Sequence, residues 1–167
     1  MKLKLALLSC TIAAPLIAQI PAPPQETEAM RSAAHARLEV TPGDLKMAAE
    51  AADRWLKLMD QGKYGESWDI SSNIFRYKLK KDEWIKAATK LRAPVGRMIS
   101  RQLMNEIPKK NPTGLPEGLY MVLAYRSSFS NRPRAIELVT MVLSTNDQWK
   151  VLFYENVEEH DAPPNSQ

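Results

Sequence analysis

Glu137 stands inside an otherwise apolar run, Ala135-Ile136-Glu137-Leu138-Val139, and is the residue of this sequence best placed for acid–base chemistry. A carboxylate enclosed by apolar side chains has its pKa raised by desolvation and can serve as a general base. A phenol nearby would complete such a site by donating to a developing oxyanion. Tyr120, Tyr125 and Tyr154 are the candidates for that donor, with Trp68 and Asp69 as further candidate pocket residues. The competing assignment for Glu137 is structural. On a strand it would pair across the sheet with Arg101 or Arg126, because buried carboxylates are usually paired. The structural pair is the favoured reading.

The run Arg92-Ala93-Pro94-Val95-Gly96-Arg97 is the most distinctive short motif. Guanidinium forks suit carboxylates and phosphates, so Arg92, Arg97 and Arg101 are candidates for an anion-binding rim. The simpler account is a helix stopped by Pro94, a special backbone angle at Gly96, and arginines in solvent or salt bridges. Trp55, Trp68, Trp84 and Trp149 would suit the wall of a ligand cavity, but their placement on apolar stripes favours core.

Other chemistry is excluded by composition. The only cysteine is Cys10, and the two histidines, His35 and His160, fall in a linker and a tail. This leaves no rigid setting for a histidine dyad, a metal site or a cysteine nucleophile, so no metal and no cofactor are expected. The six glycines are scattered, and no phosphate loop, Gly-x-Ser-x-Gly elbow or His-Glu-x-x-His helix is present.

The first eighteen of the 167 residues give a location. Met1-Lys2-Leu3-Lys4 is basic, Leu5 to Ala18 is almost wholly apolar, and Pro21, Pro23 and Pro24 follow. That order predicts a signal sequence over residues 1–18, cleaved after Ala18, and a periplasmic or secreted protein with no membrane span in the mature chain. Cys10 in Leu7-Leu8-Ser9-Cys10 offers an alternative, a lipobox that would anchor the protein through Cys10, although the apolar stretch before it is short. Removing the signal leaves 21 basic and 19 acidic residues, a net +2, well interspersed, which argues against nucleic acid as the main partner.

These residues need elements to hold them. Residues 19–40 read as a Pro/Ala-rich linker. Thr41-Pro42-Gly43-Asp44 is a helix start. Leu45, Ala48, Ala49, Ala52, Trp55, Leu56 and Met59 then form one apolar helical stripe, stopped at Gly62. A second helix is expected to carry Tyr64, Trp68, Ser71 or Ser72, and Phe75. A third begins near Lys81-Asp82, buries Trp84, Ala88 and Leu91, and ends before Pro94. Four strands follow, Arg97 to Ile107, Leu119 to Ser127, Arg134 to Leu143 and Trp149 to Tyr154, the last with Trp149, Val151 and Phe153 on one face. A tail from Glu155 is expected to fray, so the domain is set at 41–156 and the tail at 157–167. Helices followed by antiparallel strands is an α+β order. The strands from Leu119 and Arg134 are apolar on both faces, so one face packs on the helices and the other closes on the curled sheet or on a partner subunit, as in a homodimer.

Ala52-x-x-Trp55-Leu56-x-Leu58-x-Asp60-x-Gly62-x-Tyr64, Ser67-Trp68, Trp84, Arg92-x-Pro94-x-Gly96 and Arg101 resemble a family of exported bacterial proteins known as domain of unknown function 4019. Gly118-x-Tyr120, Tyr125-x-x-x-Phe129, Glu137-x-Val139-Thr140 and Asp147-x-Trp149-Lys150-Val151 continue the likeness over most of residues 48–154. Asn131-Arg132-Pro133-Arg134 departs from the Lys-rich turn of that family, as does Asp147-Gln148 from its Asp-Gly. The resemblance implies a cystatin-like cone, the architecture of nuclear transport factor two and ketosteroid isomerase. It implies no activity, since that architecture hosts enzymes, ligand binders and interaction domains alike. The expectation is a non-enzymatic module binding a small ligand or a protein. The alternative is a small lyase or isomerase working from a carboxylate and a tyrosine in the pocket.

Overall fold

The computed structural model describes residues 39–158. The expected signal sequence with Cys10, nearly all of the linker with His35, and the tail with His160 lie outside the described residues. Four helices precede four strands: α1 (Pro42–Asp60), α2 (Tyr64–Asp69), α3 (Asn73–Lys78), α4 (Lys81–Arg92), β1 (Met98–Lys110), β2 (Leu119–Phe129), β3 (Arg132–Leu143) and β4 (Trp149–Glu158). The strands form one antiparallel open sheet in the order β1-β2-β3-β4, so the fold is α+β.

α1 starts as its sequence predicts. Thr41 Oγ1 accepts from the Asp44 backbone N–H at 3.2 Å and the Asp44 carboxylate accepts from the Thr41 N–H at 2.8 Å, a reciprocal cap. Pro42 occupies the first turn. Asp44 is fully buried and its other oxygen accepts from Trp149 Nε1 at 3.1 Å, which ties the start of α1 to the start of β4. The stripe Ala48, Ala52, Trp55, Leu56 and Met59 packs against Met121, Leu123, Val139, Met141 and Val151 on the helix-facing side of the sheet. Each large apolar side chain so buried contributes about 1.5–3 kcal/mol.

Three local expectations are corrected. The single second helix is two, α2 and α3, separated at Ser71-Ser72. The Ser72 N–H donates to Val151 O on edge strand β4 at 2.9 Å, while Ser72 Oγ accepts from the Phe75 N–H at 3.1 Å and starts a new helix. A backbone tied to a strand edge cannot continue a helix, and the tie shields that edge. Next, β4 does not fray at Glu155: Glu155 to Glu158 pair with Leu138 to Ala135 of β3. Lastly, Phe153 does not share a face with Trp149 and Val151. A bulge opposite Thr140 and Met141 shifts the alternation by one residue, leaving Phe153 40% exposed and turning Tyr154 toward the helices.

The remaining strands run longer than their apolar patterns. β1 continues to Lys110 because β2 pairs with it throughout, and Pro108 is accommodated since β1 is an edge strand. The β2–β3 turn is only Ser130-Asn131, so Arg132 and Pro133 belong to β3. At the end of α4, Gly96 takes φ +80°, and a Cβ there would overlap Ser130 Oγ and approach Asn131 Cγ to 3.0 Å, so glycine is required.

Candidate functional site

On the helix-facing side of the sheet, register brings one polar side chain from each strand together. Arg101 (β1) lies opposite Ser127 (β2), Glu137 (β3) lies between Tyr125 and Asn156, and Tyr154 (β4) is two residues before Asn156 on the same face. Two helix ends close over them. Asp60 is the last residue of α1 and Arg92 the last of α4.

The result is a closed ion cluster centred on Glu137, which is fully buried. Its Oε1 accepts from Arg92 Nη1 at 3.0 Å and from the Tyr154 hydroxyl at 2.5 Å. Its Oε2 accepts from Arg101 Nε at 2.6 Å and from Ser127 Oγ at 2.5 Å. Asp60 accepts from Arg92 Nη2 at 2.5 Å and, through both oxygens, from Arg101 Nη1 and Nη2 at 2.8 and 3.0 Å. The Phe129 ring lies 4.7 Å beneath the Arg92 guanidinium. Two carboxylates and two guanidinium groups balance in charge. Among the described residues no buried side-chain polar atom lacks a partner.

The electrostatics follow from this packing. Burial alone would lower the pKa of Arg92 and Arg101, but the facing anions and hydrogen bonds overcome it and push both up. Both remain cations. Burial and then the Glu137 charge push the Tyr154 phenol up, and burial with the nearby Asp53 does the same for Tyr125. An unfolded tyrosine releases its proton near pH 10, while these two keep theirs when folded. The folded state then holds more protons than the unfolded one, so their stabilisation is complete below about pH 10 and declines as pH rises beyond it. The loss is about 1.4 kcal/mol per pH unit for each retained proton. The melting temperature is expected to fall steeply above about pH 10, and Tyr154→Phe to make that fall shallower. A thermal melt at stepped alkaline pH checks both.

The chemical capacity of Glu137 is limited by its partners. A carboxylate has roughly four lone-pair sites, and four donors occupy those of Glu137. The Tyr154 proton is already directed at Glu137, so it is not free for an oxyanion. A small cleft of about 260 Å³, lined by residues including Asp53, Lys57, Asp60, Arg101 and Tyr125, reaches the edge of the cluster without touching Glu137. A larger groove of about 510 Å³ lies at the opposite end of α1, between Met47, Arg54, Ile70, Asp147 and Lys150, with Asp69 and the edges of Trp55 and Trp149 in its wall.

The sequence candidates therefore separate. Glu137, Tyr154, Arg92 and Arg101 meet in the cluster, and Tyr125 flanks it with its hydroxyl 3.4 Å from Asp53. Tyr120 is on the opposite face of the sheet with Val142 and Leu152, its hydroxyl donating to Pro116 O at 2.7 Å. Trp68 donates to Leu79 O at 2.7 Å, and Asp69 pairs with Lys81 at 2.7 Å, both away from Glu137. The anion rim is corrected: Arg92 and Arg101 are committed to internal carboxylates, and Arg97 is exposed, held through its backbone, whose N–H donates to Ser130 Oγ at 3.0 Å and whose carbonyl accepts from the Ser130 N–H at 2.8 Å. Of the two arginines proposed to pair with Glu137, Arg101 does so. Arg126 sits opposite Gln102 and Ile136 on the outer face.

Asp60, Ser127 and Phe129 are the members sequence reasoning missed. Asp60 carried a signal, since an acid in the last turn of a helix opposes the helix dipole unless a cation meets it. Trp55, Trp84 and Trp149 are core, at most 5% exposed. Among the described residues no group of three or more potential ligands is gathered for a metal ion, and no helix is long and apolar enough to cross a membrane.

A family model described as "Protein of unknown function (DUF4019)" matches residues 51–154. No curated protein matches the chain.

Proposed function

The chain belongs to this family of unknown function, and we propose that it acts as a non-enzymatic binding or interaction module that pairs with a second copy of itself. The observation that carries the reading is the saturation of Glu137. The best acid–base candidate is fully buried with four donors on its two oxygens, so a substrate would first have to dismantle the cluster. The lyase or isomerase alternative needs an open oxygen on Glu137.

The self-association rests on the outer face of the sheet. One row across all four strands reads Ile107, Val122, Thr140, Phe153, with Ile107 and Phe153 each 40% exposed. The next outer-face row is Asn105, Ala124, Leu138 and Glu155, and the one after it, Gln102, Arg126, Ile136 and Val157, ends in Val157, which is 46% exposed. A sheet face of this composition is suited to burial against another such face. Export is supported by the basic-then-apolar order of residues 1–18.

Native mass spectrometry of the protein as its producing cell leaves it tests this reading. The expected species is a bare dimer whose chains begin near Gln19, reduced to monomer by Phe153→Asp. A monomer overturns the self-association, a reproducible small adduct would make the module a ligand binder, and turnover that disappears in Glu137→Gln overturns the non-enzymatic reading. A diacylglyceryl mass on a chain beginning at Cys10 replaces the freely exported form by the lipid-anchored one.

A further inference from the structure

The segment from Asn73 to Lys81 carries four cations, Arg76, Lys78, Lys80 and Lys81, and no acid. Its helix, α3, is oriented by Phe75, which is buried against Trp84 with ring centroids 5.0 Å apart. At about 100° per residue the side opposite Phe75 belongs to Tyr77, with Arg76 and Lys78 on its flanks. Tyr77 is accordingly 75% exposed, more than any other large apolar or aromatic side chain described. α3 is also fixed in place. Ser72 caps it and ties its start to β4 through Val151 O.

The cations here are not spent on neighbours. Lys81 is paired with Asp69, but Arg76 is held by the Asp69 carbonyl at 3.3 Å and the Asn73 side chain, both neutral. Lys78 Nζ lies 5.7 Å from the centre of the exposed Phe153 ring. Among the described residues none of Arg76, Lys78 and Lys80 forms an ion pair with a carboxylate. The molecule thus presents an exposed tyrosine flanked on α3 by Arg76 and Lys78, with Lys80 just beyond, three cations without an ion-pair partner, although Asp82 and Glu83 follow directly and the Glu83 carboxylate accepts from the Lys80 N–H at 3.0 Å.

We propose that this ridge docks the protein on an anionic phospholipid bilayer, Tyr77 entering the headgroup layer, Arg76 and Lys80 facing the lipid phosphates and Lys78 beside them. The arrangement favours a bilayer over a single-stranded polyanion. Stacking a run of bases needs several open aromatic faces, and here only Tyr77 is open, since Lys78 lies over Phe153, and Arg76 and Lys81 lie over Trp68 at 5.7 and 5.9 Å. Tyr77 is amphipathic and suited to an interface with one wet and one apolar side. The surface does not overlap the Glu137 cluster, but Lys78 lies over Phe153, so the ridge adjoins the face proposed to pair with a second copy, and Tyr77, Arg76 and Lys80 are the residues that face the lipid.

The test is co-sedimentation of the protein, in the form its producing cell leaves it, with phosphatidylglycerol–phosphatidylcholine vesicles and with vesicles of phosphatidylcholine alone. Binding is expected on the anionic vesicles and to weaken with added salt. Each cation near such a surface is worth about a fivefold change in affinity, so the triple variant Arg76→Gln/Lys78→Gln/Lys80→Gln is expected to bind about a hundredfold more weakly. Lys78→Arg/Lys80→Arg should keep the affinity, and Tyr77→Ser should reduce it without altering its salt dependence. All these positions are on the surface, and an unchanged melting temperature verifies folding. Equal binding to both vesicle types, anionic binding undiminished in the triple variant, or binding to heparin or RNA without binding to anionic vesicles overturns the proposal.

Discussion

Glu137→Ala is expected to destabilise the protein by about 3–5 kcal/mol, the usual loss when one partner of a buried ion pair is removed. The change deletes the central carboxylate, leaving the Tyr154 hydroxyl, which accepts from Arg92 Nη1 at 3.0 Å, as the acceptor there. Ser127 Oγ and the Tyr154 hydroxyl lose their carboxylate, and Arg92 and Arg101 are left with Asp60 as their one facing carboxylate. A buried net positive charge results, and its desolvation is no longer offset. Urea unfolding should show a lower midpoint at an unchanged slope. Removing a cation together with the anion should restore part of the loss. Glu137→Leu/Arg101→Leu leaves Arg92 facing Asp60 in balance, so the double variant is expected to lie about 1–3 kcal/mol above the sum of its singles. A loss below about 1 kcal/mol for Glu137→Ala would mean that water screens the cluster as it does a surface pair. In that case Glu137 would be accessible, and the acid–base reading would regain its ground.

The cluster also shows which parts of this molecule its sequence discloses. Helical periodicity located the two long helices, because α1 and α4 each place a simple apolar stripe against one surface. Glu137 was conspicuous because a lone charge in an apolar strand breaks a pattern. Arg92 could be read the same way: Trp84, Ala88 and Arg92 fall four residues apart, so the arginine continues a buried stripe. Ser127 and Asp60 could not be assigned, since their role depends on strand register and on where a helix end arrives, both set by tertiary packing. The position of Tyr154 was hidden for a related reason. Simple alternation from Trp149 directs Phe153 inward, and only the bulge on β4 exchanges it for Tyr154. The break between α2 and α3 likewise depends on a strand edge far along the chain, where Ser72 meets Val151.

Trp55→Ala is expected to cost a similar amount, about 3–5 kcal/mol, through loss of buried area and the cavity left behind. Trp55 is 1% exposed and joins three parts of the fold. Its indole N–H donates to Ser67 O and Ser71 Oγ, both at 2.9 Å, fixing α2 and the chain after it to α1. Its ring packs on Trp84 of α4 at 5.8 Å and on Tyr154 of β4 at 5.2 Å. Trp55→Phe retains most of the apolar contact and removes only the donor. Ser71 Oγ still donates to Ser67 O at 2.8 Å, so this change should cost about 1–2 kcal/mol. The ordering of the two variants separates a core residue from a pocket wall, because a side chain lining an open cavity leaves no new void when shortened. The Tyr154 ring rests on Trp55 while its hydroxyl serves Glu137, so the aromatic core and the ion cluster meet in one side chain. Once Trp55 is removed, Tyr154 is free to shift and its bond to Glu137 is weakened. Trp55→Ala combined with Glu137→Ala is therefore expected to cost less than the sum of the two, by at least about 0.5 kcal/mol in equilibrium unfolding. Strict additivity would mean that the two groups stabilise the fold independently and that Tyr154 does not couple them.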